Sequence, residues 1–474
     1  MKSLLRNNFI AFFLFIVVIP AVAQQKIQKE IHEYVSKAPF EMKAPELPVI
    51  PKYKVNIKDF GAVGDGETLN TEAIDKAIED CSQKGGGTVV IPAGLWLTGP
   101  IELKSNINLH VNQGAVVLFS RDHSLYPIIR TSSSSHTWFV KNPIYGYNLE
   151  NIAITGEGIF NGSGDTWRPV KKSKRSQKQW KRLLKSGGVV SDDGKLWWPS
   201  KEGLNGKEQY KKIKKEKGKD AEASDFLPVR DYLRPYMVSI VDSRNILIDG
   251  PTFMNAPMFA LKPRGCHNLV IRNVKINNEW YAQNGDGIDL SACTNAIVYD
   301  CTVNAGDDGI AMKSSRSSSD QTDTACLKNI IIADCIVYRG HGGFVIGSNT
   351  DGGMENIFVN NCSFINTDIG IRVKSGEGKG GKVHDIYIED IYMANIKKSA
   401  ILFSTYYEDK GTNSNLSKKD LSHLDIPEFS HFYMNHIYCN GAKEALSMRG
   451  LPQVPIHHIR FSNVNINADQ GISA

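Results

Sequence analysis

The chain has 474 residues, 41% of them hydrophobic and 22% charged, with 56 basic and 50 acidic side chains. That is ample apolar material for a large packed core, which excludes disorder as the main state. A net charge of +6 is too mild overall for a nucleic-acid binder, and 41 glycines against 19 prolines indicate many turns.

Residues 1–23 place Lys2 and Arg6 ahead of an apolar stretch from Phe9 to Val22, closing on Ala21-Val22-Ala23. A basic start, a short apolar run and a small-x-small exit form a secretory signal peptide, and the run is short for a span of ~20 residues. No Cys follows the cleavage point, so no lipid anchor is expected there. The expectation is an exported protein, periplasmic or secreted, with no membrane span after the leader is removed. Residues 24–50 read as an N-terminal linker and 51–474 as one folded unit.

Residues 59–81, DFGAVGDGETLNTEAIDKAIEDC, place Gly64-Asp65-Gly66 in a turn. A helix then starts near Thr71 with Ile74, Ala77 and Ile78 on one face. The glycines invite a phosphate-loop interpretation, but GxxxxGK[ST] is absent. A helical cap over the open end of a repeat protein fits better. Further on, residues 168–225 hold 18 Lys or Arg and 8 Asp or Glu, a balance of +10 that leaves −4 on the rest of the chain. Trp180, Trp197, Trp198 and Tyr210 are scattered among these charges. Two expectations stand for this basic insertion: a solvated, partly helical excursion, or a flap offering cations and sugar-stacking faces to a polyanion.

From residue 245 a nine-residue phrase recurs, in which a polar residue is followed by apolar positions one, three, six and eight places on. It reads NILIDGPTF from Asn245, NLVIRNVKI from Asn268, NAIVYDCTV from Asn295, NIIIADCIV from Asn329, NIFVNNCSF from Asn356 and DIYIEDIYM from Asp385. Looser copies start at Asn151, His431 and His458. Successive starts lie 23, 27, 34, 27 and 29 residues apart, with period-2 apolar segments and no helical pattern between them. Units of this length stack because none can bury its apolar face alone. The expected fold is all-β, a single-domain right-handed parallel β-helix.

A second strand follows in most coils: GIDLS (287–291), GIAMK (309–313), GFVIG (343–347), GIRVK (370–374) and AILFS (400–404). Their second and fourth residues face the core, and the first, third and fifth face solvent. The register also aligns Cys301, Cys335 and Cys362 in consecutive coils. Stacked strands hold equivalent residues ~4.8 Å apart, unfavourable for a disulfide's Cβ spacing of ~3.8 Å, so a ladder of buried thiols is expected. Cys266 and Cys293 share another position and are left open.

Aligning the second strands puts Asp286 and Asp308 at one level, with Asp307 and His341 one place earlier in their coils. Arg372 and Lys374 share the outward face of a neighbouring strand. Gathered carboxylates raise the proton affinity of one member, which costs stability and suits a general acid. Glycoside hydrolysis needs one carboxylic acid for the leaving oxygen and a carboxylate to activate water. The two cations could hold a substrate carboxylate.

Asn284-Gly285-Asp286, Gly306-Asp307-Asp308, Gly340-His341-Gly342 and Arg372-Val373-Lys374 resemble the four signature motifs of glycoside hydrolase family 28, the polygalacturonases. Their order and strand placement agree, and the similarity runs from about Asp59 to near the C-terminus. The resemblance implies inverting hydrolysis of α-1,4-galacturonosyl links in pectin. It also implies Asp307 as general acid, Asp286 and Asp308 as the groups activating water, and His341 tuning the acid. Arg372 and Lys374 would grip a galacturonate carboxylate, and Asn284 would orient the site. Gly285 stands where many members have Thr, similar to bacterial exo-acting branches, and the insertion could wall off one end of the groove. An exo-enzyme releasing galacturonate is therefore expected. It would act as a monomer on an acidic polysaccharide or oligogalacturonide, with no cofactor and no metal. The alternatives are a hydrolase of rhamnogalacturonan-type fragments, a calcium-dependent pectate lyase and a non-catalytic polysaccharide-binding β-helix.

Overall fold

The computed structural model describes residues 24–130, 137–315, 326–407 and 426–474. The leader expected over 1–23 lies outside the described residues. Along the rest, 28 strands join one continuous sheet through parallel pairings, the topology of a right-handed parallel β-helix. Ile246 pairs with Leu269, Leu269 with Ala296, Ala296 with Ile330, Ile330 with Ile357 and Ile357 with Ile386. Each coil from Asn245 to Met393 thus carries one copy of the recurring phrase.

The phrase has its form because it contains two bends. Its first residue adopts a left-handed backbone at Asn245, Asn268, Asn295, Asn329 and Asn356, with φ of 54° to 57°. Five places on, Gly250, Asn273, Asp300, Asp334 and Asn361 are left-handed as well. Asn, Asp and Gly carry this conformation at least cost, so each polar position marks a corner between two short strands. Stacking then lets the corner side chains bond coil to coil. Asn295 Nδ2 donates to Asn268 Oδ1 at 2.5 Å, and Asn268 Nδ2 to Asn245 Oδ1 at 2.9 Å.

The inward positions of the second strands, Ile288, Leu290, Ile310, Met312, Phe344, Ile346, Ile371 and Val373, are all buried in one core. Cys301, Cys335 and Cys362 lie there as free thiols, each donating to the carbonyl two residues back at 3.3, 3.1 and 3.3 Å. Cys266 and Cys293 make the same bond, to Arg264 and Ser291, and are also free. The helix Thr71–Gln83 buries Ile74, Ala77, Ile78 and Cys81 against the first coils. Gly64-Asp65-Gly66 differs from the expected turn. Asp65 and Gly66 open a short strand, Asp65–Leu69, in which the Asp65 carboxylate accepts from the amides of Glu67 and Thr68.

Residues 24–50 depart from the sequence expectation, and the insertion departs from one of its two, the flap with sugar-stacking faces. Residues 24–50 form no free linker: 24–37 are helical, and Ile31 and Leu47 pack on Val270, Ile297, Ile331 and Phe358 of the outer wall. Those wall residues occupy the outward, third position of the phrase, and their apolar character called for a cover. The insertion carries the helices Gln177–Lys185 and Lys201–Lys217 and a small antiparallel sheet. Trp180, Trp197 and Trp198 are 6 to 7% exposed. These rings therefore do not offer sugar-stacking faces, because they fill small cores that the insertion shares with Tyr281 and Tyr232. No helix among the described residues is long and apolar enough to cross a membrane.

Candidate active site

The coil register brings distant residues to one patch of the outer wall. Ile288 stands beside Ile310, Ile310 beside Phe344 and Phe344 beside Ile371. Asp308 pairs with Gly342 at the start of its strand, and the amide of Gly287 donates to the Asp308 carbonyl at 2.9 Å. The His341 amide donates to the Asp307 carbonyl at 2.7 Å. Asp286, Asp307, Asp308 and His341 thus occupy adjacent coils, and Arg372 and Lys374 follow one coil later. Gly285 is required by close approach: a Cβ there would lie 2.7 Å from that of Ala282, where the preceding loop folds back.

Each acid has its own partners. Asp308 is 2% exposed and accepts from Lys374 Nζ at 2.7 Å and Arg372 Nη1 at 3.2 Å. Burial pushes its carboxyl up, but Lys374, Arg372 and Lys313 outweigh that and hold it well below the usual carboxylate range. Asp307 accepts from His341 Nδ1 at 2.8 Å. Burial again acts upward, and the His341 hydrogen bond together with the charge of Lys374 brings Asp307 below its ordinary value. Asp286, 3% exposed, accepts from Lys313 Nζ at 3.1 Å, and its Oδ1 is buried without a partner among the described residues. Burial, aided by the like charges of Asp307, Asp308 and Asp289, raises it well above the usual range despite Lys313. Of the three carboxyls, Asp286 has the surroundings that most favour its proton. A close carboxylate set of this kind titrates as a unit.

A profile of glycosyl hydrolases family 28 matches residues 181–471, more than half of the chain. The chain belongs to that family. A second profile, rhamnogalacturonase A/epimerase, pectate lyase-like, matches residues 54–119, the capping coils. This family 28 enzyme is 28% identical over 434 residues to the exo-poly-alpha-D-galacturonosidase of Dickeya chrysanthemi, covering 88% of this chain and 68% of that protein. The crystal structure of a hyperthermoactive exopolygalacturonase from Thermotoga maritima superposes with a TM-score of 0.75 at 29% identity, over 94% of this chain and 93% of that one. The polygalacturonase from Erwinia carotovora shares the fold, with a TM-score of 0.64 at 20% identity over 92% and 98% of the two chains.

Several residues at the site of this glycoside hydrolase went unrecognised in its sequence. Asp289, the third residue of GIDLS, points outward yet is fully buried. It is bracketed by Lys313 and by Lys262, whose Nζ lies 2.6 Å from Asp289 Oδ1. Both lysines lie over the Phe259 ring, with Nζ 5.3 and 4.5 Å from its centre for Lys262 and Lys313. Lys262 and Lys313 occupy outward positions of aligned strands, so the register that located Asp286 could have found them. Arg234 could not be found that way. It follows the insertion, and its guanidinium donates to Asn284 Oδ1 at 2.9 Å and to the Gln283 carbonyl at 3.0 Å, fixing the loop that carries Asn284. Lys174 comes from the insertion itself and reaches His341 Nε2 at 3.1 Å.

Proposed function

We propose that this family 28 enzyme is an exo-acting polygalacturonase. It hydrolyses α-1,4-galacturonosyl linkages of pectin by single displacement and releases galacturonate from a chain end. The observation that carries this reading is the meeting of the Asp307–His341 pair with Asp286 and Asp308 beside Arg372 and Lys374 on one wall. Asp307 Oδ1 accepts from His341, which leaves Oδ2 to carry the proton delivered to the glycosidic oxygen. Asp286 and Asp308 activate the water. For that division of labour the proton favoured on Asp286 passes to Asp307 as substrate enters. A galacturonate carboxylate drawing on Arg372 and Lys374 weakens their hold on the acids and excludes water, and both effects raise Asp307. Asn284, held by Arg234, orients the substrate.

The names of the Dickeya and Thermotoga relatives support exo action. So does the insertion, which stands against the site through Lys174 and suits a pocket that takes a chain end. Asp286 and Asp308 already face protein cations, which supports hydrolysis over calcium-bridged elimination. We place its action outside the cytoplasm, after loss of residues 1–23, as a monomer on acidic polysaccharide or oligogalacturonide.

Product analysis on polygalacturonate tests the proposal. Galacturonate alone is expected from the earliest times. A ladder of oligomers would overturn exo action, and unsaturated products would overturn hydrolysis. Asp307→Asn should lose about 10²- to 10⁴-fold in turnover with its fold intact; full activity in that variant would dispose of the assignment.

A further inference from the structure

The basic insertion sends one side chain into the catalytic wall. Lys174 closes a short helical turn, Lys172–Lys174, and its ammonium is half-buried among three acceptors: the Gly306 carbonyl at 3.0 Å, the Trp280 carbonyl at 3.2 Å and His341 Nε2 at 3.1 Å. Gly306 immediately precedes Asp307. An ammonium has three N–H donors and no lone pair. All three donors are used here, so Nε2 of His341 must supply the lone pair. The ring proton then sits on Nδ1, where it donates to Asp307 Oδ1 at 2.8 Å. Lys174, His341 and Asp307 form a one-way chain of donors.

We propose that Lys174 is a positioning residue that locks His341 as the neutral Nδ1–H tautomer and so aims that proton at Asp307. The ammonium also forbids protonation at Nε2, because an imidazolium there would bring two N–H groups face to face. The lock matters because a permanent imidazolium beside Asp307 would keep the acid ionised when it must carry a proton. The groups facing this chain are Asp368, Lys171 and Lys397 around Lys174, and Asp308 and Lys374 beside Asp307. The acid role of Asp307 belongs to the proposed function and gives the lock its catalytic meaning; the tautomer follows from the hydrogen bonds alone.

Ring-nitrogen NMR of the full chain labelled with ¹⁵N-histidine tests it, with His341→Gln assigning the signal. In the wild type His341 should show a protonated Nδ1 and an unprotonated Nε2. In Lys174→Met the ring should populate the Nε2–H form, and Lys174→Arg, which still donates, should restore the wild-type pattern. On polygalacturonate the Met variant should lose about tenfold in kcat with KM nearly unchanged, since Lys174 acts through His341. A wild-type spectrum showing Nε2–H would overturn the proposal without any variant. So would unchanged nitrogen shifts and pH–rate profile in Lys174→Met. Full activity of Asp307→Asn would instead overturn the acid role, leaving the nitrogen measurement to stand separately.

Discussion

Lys374 donates to Asp308 at 2.7 Å across two coils of the solenoid, and the two side chains are 6% and 3% exposed. A pair this dry is costly to break from one side, because the remaining charge stays buried. Lys374→Met should lower stability by about 3 kcal/mol at neutral pH, the lower end of the usual range because Arg372 still reaches Asp308. The pH dependence has a definite sign. Asp308 is held below its ordinary value, so its contribution is present above the unfolded carboxylate pKa of about 4. That contribution is lost as pH falls through the depressed value. Denaturant midpoints of variant and wild type should therefore converge in acid, and a gap constant with pH would contradict the pairing.

Asp286 has the opposite sign. Burial holds its carboxyl above the ordinary range, so ionising it in the folded protein costs free energy that the unfolded chain does not share. That cost is absent below about pH 4 and grows as pH rises. Asp286→Asn removes the ionisation at nearly constant shape, and Asp289 still holds Lys313. The variant should melt higher than wild type at pH 7 and level with it near pH 4, while losing turnover. An equal or lower melting temperature at pH 7 would show that Asp286 is stabilised as a carboxylate.

The coil register was legible in the sequence because left-handed corners demand Asn, Asp or Gly, and those residues recur in phase with the apolar strand positions. From that phase alone Asp286, Asp307, Asp308 and His341 fall on adjacent coils and Arg372 and Lys374 on the next. Lys174 and Arg234 left no comparable trace, since a residue in or beside an insertion has no register to count from. The strap over 24–50 was legible in principle. Leu247, Val270, Ile297, Ile331 and Phe358 put apolar side chains on the outward face of successive coils, which a solvated wall would not tolerate. The rings of Trp180, Trp197 and Trp198 misled because aromatic residues in a charged run say nothing of whether they pack on one another or face solvent.

The cysteines give a chemical test of the same register. None of the eight is joined in a disulfide, and burial holds the Cys335 and Cys362 thiols well above their ordinary value, which keeps them protonated and slow to oxidise. The protein unfolded in denaturant without reductant should titrate with eight thiols, and reductant should leave the native melting temperature unchanged. A titre short by two, restored by reductant, would place a disulfide in the chain.

Arg168 anchors the insertion to the coils that carry the site. Its side chain is 3% exposed and pairs with Glu279 at 2.7 Å, and it donates to the Ala256 carbonyl and Asn255 Oδ1, both at 2.8 Å. Arg175 provides a second contact, its guanidinium 3.4 Å from the centre of the Tyr281 ring. Arg168→Met keeps the apolar stem but leaves the Ala256 carbonyl without its donor and Glu279 without its cation. Glu279 is 38% exposed and can rehydrate, so the loss should be modest for the whole fold, about 2 kcal/mol. Its effect on the insertion should be larger, because Arg168 stands where the insertion leaves the coils, and the helices and small sheet of 168–225 can open without unwinding the solenoid. Trypsin should then cleave at the many Lys and Arg of 168–225 far faster than in wild type, while the coils from 238 onward stay resistant. Turnover should fall in step, since an insertion that swings away takes Lys174 from His341. Cleavage at the wild-type rate, or a collapse of the entire β-helix, would show that Arg168 does not act as this local clamp.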